Sequence, residues 1–309
     1  MRTAFFSTLL DLAAEDQRIE LVVGDLGFGA VEPFRDRFPD RFLNVGVAEQ
    51  NMVGVATGLA LTGSVVFAYS IGNFPTLRCL EQIRNDACYH AANVKIVAVG
   101  GGLAYGALGI SHHATEDLAI LRAIPGIAVA APGDPTETEV ITRVAAQLDG
   151  PVYLRLGKTG EPRLHTSPPS LRPGASIEMV DGDDVAVLST GAMLGTALDV
   201  HEALARHGVS CRVISMPWVD PLDEATVRQV GGAHRLVVTL EEHSIRGGLG
   251  SAVAEVLSEQ FNAAPLLRVG LPAAFTSVVG SQSYLLQYYG LDQASVTERI
   301  LSCLKDGDS

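Results

Sequence analysis

Short β-branched runs alternate with longer segments of helical spacing along this chain, separated by turns of small or acidic residues. That rhythm predicts an α/β fold, in which strands of a parallel sheet are connected by covering helices. In the first half the candidate strands are Glu20 to Val23, Val65 to Ala68, Lys95 to Val99, Ile127 to Ala130 and Val152 to Leu156. Most run directly into polar or glycine-rich turns: Gly24-Asp25, Tyr69-Ser70, Gly100-Gly101-Gly102, Pro132-Gly133-Asp134 and Gly157-Lys158. Ligands of open parallel sheets bind beyond the carboxyl ends of the strands, so chemistry is expected at these turns.

The pattern lapses between Glu161 and Asp184, where Pro162, Pro168, Pro169 and Pro173 interrupt any helix or central strand. This stretch, 161–184, reads as a linker. The rhythm resumes at Val185 to Leu188, Cys211 to Ile214, Leu236 to Leu240 and Leu267 to Val269. Two parallel-sheet domains are therefore expected, at 1–160 and 185–309, the second smaller.

The chain has 309 residues and a formal net charge of -13. An acidic surface repels nucleic-acid backbones and anionic membranes, which leaves small molecules and proteins as expected partners. Cys79, Cys88, Cys211 and Cys303 are too widely spaced for a zinc knuckle or a redox pair and read as free thiols. The opening MRTAFFSTLLDLAAEDQ is broken by Asp11, and Phe6, Leu9, Leu10 and Ala13 share a helical face, so it reads as an amphipathic helix. No apolar run reaches the roughly 20 residues a membrane span needs, and a cytoplasmic protein is expected.

Candidate chemistry concentrates in Asn44-Val45-Gly46-Val47-Ala48-Glu49-Gln50-Asn51-Met52, which leads into a helix with Met52, Ala56 and Leu59 on one stripe. Taken alone, Glu49 near a helix start complements the helix dipole. Phe74 in Ser70-Ile71-Gly72-Asn73-Phe74 is by itself an ordinary core aromatic, and Asp25 a turn former. His112 and His113 follow the irregular glycine-rich stretch 100–109. No nucleophile elbow, Walker loop or well-spaced dinucleotide loop is present; Gly247-Gly248-Leu249-Gly250 lacks the required spacing.

The run Asn44 to Met52 resembles the thiamine-contacting helix of the transketolase family. Glu81-Gln82-Ile83-Arg84-Asn85, Asn93 to Val97, Glu116 to Gly126 and Leu240 to Gly250 resemble that family in the same order, across most of the chain. The resemblance implies that Glu49 hydrogen-bonds the aminopyrimidine of thiamine diphosphate, where a carboxyl sharing a proton with the ring activates the cofactor. It further implies that Asp25, Val47, Ile71, Phe74 and Leu77 line the cofactor pocket, Phe74 against the ring. His112 matches a histidine that contacts the substrate carbonyl and hydroxyls, and Lys158 a cation that meets the substrate.

Departures from the family pattern are as informative. Sugar-phosphate transketolases usually carry a histidine at Gly100, an acid at Leu108 and an arginine at Lys158, so a standard pentose phosphate is in doubt. The Gly-Asp-Gly element and downstream Asn-Asn pair that hold magnesium and the cofactor diphosphate have no match here, and no metal ligand is assigned. The expectation is half an active site: a C-terminal subunit that pairs with an N-terminal subunit and with a second copy of itself in a heterotetramer. The expected reaction moves a two-carbon ketol unit from a ketose donor to an aldehyde or a carrier-bound acceptor, the carrier being a protein. The beta subunit of a 2-oxo acid decarboxylating complex and a non-catalytic assembly subunit are the alternatives.

Overall fold

Val94-Lys95-Ile96-Val97-Ala98-Val99 is buried at every position, which demands cover on both faces of its sheet. The computed structural model, which describes residues 1–307 and side chains as far as Lys305, supplies that cover with helices. The first half contributes strands β1 (Ile19–Val23), β2 (Phe42–Asn44), β3 (Val65–Ile71), β4 (Val94–Val99), β5 (Ala128–Ala130) and β6 (Val152–Leu156). The second half contributes β7 (Ile177–Val180), β8 (Val185–Ser189), β9 (Cys211–Ser215), β10 (Trp218–Asp220), β11 (Leu236–Ser244) and β12 (Leu266–Leu271). Among the described residues these form a seven-stranded sheet, β10-β5-β6-β4-β3-β1-β2, and a five-stranded sheet, β12-β11-β8-β9-β7.

All pairings are parallel except at one edge of each sheet, where β10 runs antiparallel to β5 and β7 antiparallel to β9. Both sheets are thus mainly parallel, as expected, with one antiparallel edge strand each. The stretch expected as linker, 161–184, carries β7. It is also anchored at its start, because Asp134 accepts hydrogen bonds from the Leu164 and His165 amides at 2.7 and 3.2 Å. The same carboxylate caps the following helix through the Glu137 amide at 2.7 Å. Strand β10 comes from the second half of the chain yet completes the first sheet, so the two halves interlock.

The covering helices are α1 (Arg2–Glu15), α2 (Glu32–Arg37), α3 (Glu49–Leu61), α4 (Leu80–Gln82, continued by a π-helical Ile83–Cys88), α5 (Asp117–Arg122), α6 (Pro135–Gln147), α7 (Leu194–Arg206), α8 (Glu224–Ala233), α9 (Leu249–Ser258), α10 (Gln282–Tyr288) and α11 (Gln293–Gly307). Helix α1 packs Phe5, Phe6, Leu9, Leu12 and Ala13 into one core. Its buried face is thus turned slightly from the expected one, with Leu10 only partly covered. No helix of the described residues is long and apolar enough to cross a membrane. Lys95, inside β4, reaches the Leu148 and Gly150 carbonyls at 2.6 Å each, and burial pushes its pKa down to about 7.

A buried polar cluster locks the halves together. Arg155 of β6 donates from Nε to Asp117 Oδ2 at 2.9 Å and from Nη2 to the carbonyls of Ala114 and Glu242 at 2.7 and 3.0 Å. Tyr153 donates its hydroxyl to the same Asp117 oxygen at 2.5 Å. From the other side, Glu242 accepts the Leu103 amide at 2.7 Å and the Gln282 side-chain amide at 2.9 Å. Glu241 closes the N-terminus of α9 by accepting the amides of Leu249 and Gly250, and burial still raises its pKa to about 7. The acids of the Leu240 to Gly250 run are therefore parts of the frame.

Candidate active site

Strand β1 ends beside the start of α3, where Gly24 approaches Glu49. Glu49 is the first residue of α3 and is only 1% exposed. Gly24, at the end of β1, permits this approach: a Cβ there would lie 3.3 Å from Glu49 Cγ, tighter than ordinary contact. The next residue, Asp25, adopts a left-handed backbone (φ 54). Asn44 ties down this turn, donating its side-chain amide to Asp25 Oδ1 at 2.9 Å and accepting the amides of Asp25 and Gly46 at 3.0 and 2.9 Å.

Glu49 does not stand alone. Its Oε2 accepts a hydrogen bond from Arg78 Nη1 at 2.7 Å, a charge-assisted pair between a buried carboxylate and a side chain 46% exposed. The Arg78 guanidinium lies over the Phe74 ring, 4.7 Å from its centroid. Phe74 in turn meets His112 edge-on, with ring centroids 5.2 Å apart. Glu49, Arg78, Phe74 and His112 thus form one continuous row.

Two backbone devices hold the row in register. The Phe74 turn is closed by its own amide to the Ile71 carbonyl at 2.8 Å and by the Cys79 thiol to the Phe74 carbonyl at 3.2 Å. Asn73 donates its side-chain amide to the His113 carbonyl at 2.5 Å, pinning the histidine loop to the phenylalanine turn. His113 itself is fully buried and bonded to the Gly106 carbonyl at 3.2 Å, so only His112 faces the row. Burial, with a smaller contribution from His113, lowers the His112 pKa. Its Nδ1 hydrogen-bonds the Ser111 hydroxyl at 3.0 Å.

Ile71 ends β3 and packs, partly buried, against the adjoining core. Val47, two residues before Glu49, and Leu77, three after Phe74, are 74% and 41% exposed. Lys158 donates Nζ to the Ala104 carbonyl at 3.2 Å. Gly100, where the resemblance expects an imidazole, has φ +86, and a Cβ on it would overlap the ring of Tyr105. The phenol of Tyr105 fills the space a side chain at Gly100 would need.

Arg78 and Asn73 escaped the sequence reading. Both flank Phe74 within the run Asn73-Phe74-Pro75-Thr76-Leu77-Arg78, and a lone cation four residues after a candidate ring is the signal that could have found Arg78. The donor set bears on a bound group. A buried carboxylate beside an aromatic face suits a heteroaromatic ring with hydrogen-bonding edges. No three His, Cys, Asp or Glu side chains converge to hold a metal ion among the described residues.

Comparison with known proteins adds an independent line. The family model described as the transketolase pyrimidine-binding domain matches residues 1–161, and that of the transketolase C-terminal domain matches residues 174–296. A transketolase C-terminal section of Methanocaldococcus jannaschii is 39% identical over 99% of this chain and 96% of its own length. An apulose-4-phosphate transketolase subunit of Phocaeicola vulgatus is 34% identical over 98% of this chain and 97% of its own. A solved split-gene transketolase, an inactive beta4 tetramer, superposes with TM-score 0.89 at 37% identity, covering 98% of this chain and 97% of that one.

Proposed function

This chain belongs to the transketolase family, as a subunit of C-terminal type, and we propose that it supplies the cofactor-activating half of a thiamine diphosphate site for two-carbon ketol transfer. One observation carries the proposal: Glu49, buried at the strand ends, lies one guanidinium away from the Phe74 ring, with His112 against that ring. A flat aminopyrimidine placed against Phe74 would present a ring nitrogen to the Glu49 carboxyl. Ile71, Val47 and Leu77 would surround it with apolar surface, and Asp25 would face it from the end of β1. The cofactor, when bound, supplies the nucleophilic carbon that attacks a ketose carbonyl. This chain's residues hold the ring, exclude water and move a proton at Glu49.

His112 serves the substrate in this reading. A lowered pKa favours the neutral imidazole at neutral pH, and in the tautomer whose Nδ1 accepts the Ser111 hydroxyl the proton sits on Nε2. That N–H can then donate to the oxygen of a reacting carbonyl, where negative charge develops. Lys158, whose Nζ reaches the carbonyl of Ala104, we assign to the substrate end remote from the reacting carbonyl.

Magnesium and the diphosphate are assigned to an N-terminal partner subunit, and the working particle to a heterotetramer with two copies of each chain. The inactive beta4 tetramer of the similar split-gene protein supports this division, because a chain with half a site is inert without its partner. The exposed apolar side chains of Val47 and Leu77 suit coverage by another chain. Donor and acceptor are a ketose and an aldehyde, free or carrier-bound.

The test is an assay of the assembled pair with ketose donors and aldehyde acceptors, run beside one for carbon dioxide release from pyruvate. Transfer of a two-carbon unit without pyruvate decarboxylation is the expected result. Carbon dioxide from pyruvate would replace this reading with that of a decarboxylating complex.

A further inference from the structure

The Arg78 guanidinium makes both contacts that the proposed function assigns to the aminopyrimidine. It bonds the Glu49 carboxylate at 2.7 Å and covers the Phe74 ring at 4.7 Å. A guanidinium is planar, delocalised and edged with N–H donors, so it can imitate a flat heteroaromatic ring that presents a donor edge to a carboxylate and a face to an aromatic. Two flat groups cannot share that slot. Glu49 and Phe74 are fixed, the one by its burial on α3 and the other by the closed turn after β3. Arg78 is the member that can leave, because its side chain is nearly half exposed on the short segment between the Phe74 turn and α4.

We propose that Arg78 occupies the pyrimidine slot in exchange with the cofactor, pairing with Glu49 and covering Phe74 until the ring enters and then yielding its place. The inference rests on the proposed function and adds an exchange step to it. It also explains why a basic residue sits against the acid that has to share a proton with the ring. Paired with the guanidinium, the carboxylate is kept from other donors and from solvent; released from it, the same carboxylate takes up a proton from solvent and shares it with the ring nitrogen. Among the described residues, the side chain that hydrogen-bonds the Glu49 carboxylate is that of Arg78.

The exchange is read as a rate. Thiamine diphosphate with magnesium is mixed with the assembled complex in a stopped-flow instrument, and association is followed for wild type, Arg78→Ala and Arg78→Lys. Arg78→Ala is expected to bind the cofactor about tenfold faster, since no ion pair must break before entry. Arg78→Lys is expected to fall between, because an ammonium pairs with Glu49 but does not lie flat on Phe74. Should Arg78→Ala not fold, the lysine variant alone carries the comparison, and a crystal structure of the loaded wild-type complex must show the guanidinium off the Phe74 ring. Slower or weaker association in the variants would overturn the proposal and make Arg78 a direct ligand of the cofactor, and unchanged rates would overturn it too. A wild-type complex that binds no cofactor would instead strike at the proposed function itself.

Discussion

Glu49→Gln in the assembled complex is expected to lower turnover at least about 100-fold, the scale of a missing acid-base group. The substitution keeps the side chain's size and one oxygen for Arg78, so the ion pair becomes a hydrogen bond to a neutral amide and the chain should fold and assemble as before. What it removes is the capacity to share a proton with a bound ring. The effect should therefore appear in kcat, with cofactor affinity changed far less, as for an interaction used in the transition state and not in the ground state. A variant that turned over within about threefold of wild type would make the chain a non-catalytic assembly subunit, because nothing else in that hypothesis depends on the carboxyl.

The second large effect concerns the frame. Asp117→Ala leaves the Arg155 guanidinium, 5% exposed, without the carboxylate 2.9 Å away, and strands the Tyr153 hydroxyl as well. Breaking a buried pair by removing one partner typically costs about 3–5 kcal/mol, since the remaining charge stays buried and uncompensated. For a chain of this length the melting temperature should fall by roughly 10 °C. The double variant Asp117→Ala/Arg155→Met should recover part of the loss, because the orphaned charge leaves with its partner. A double variant as unstable as the sum of the singles would show that Arg155 matters for its bonds to the Ala114 and Glu242 carbonyls instead. Thermal melts of the four proteins in the cycle decide which contact carries the lock.

The sequence disclosed the central strands because they are buried on both faces and therefore read as short, largely apolar runs. β4 and β6 are such cases, every position covered. The edges were hidden for the opposite reason. β2, β7 and β10 have three, four and three residues, too few to show a period, and their pairing is decided by tertiary neighbours. Nothing in Trp218-Val219-Asp220 announces that it joins a sheet built by residues nearly a hundred positions earlier. The proline-rich stretch misled for a related reason: its prolines stop before Ile177, and the strand begins there.

The same contrast governs the site. Glu49 and Phe74 were legible because they sit in runs whose pattern resembles the family over many residues. Arg78 was not, since its meaning lies in where its head group rests, on Phe74 and against Glu49, and a long flexible side chain gives no hint of that in sequence. Tyr105 is similar. Only the fold shows that its ring takes the room a side chain at Gly100 would need.

If this chain holds the pyrimidine half of a thiamine diphosphate site, it needs another chain for the diphosphate half. The most direct test is calorimetric titration of thiamine diphosphate and magnesium into this chain alone, then into the chain assembled with its N-terminal partner. Heat of binding is expected only for the assembled complex. Tight binding by this chain alone would contradict the split site, and absence of binding in both would contradict the cofactor assignment.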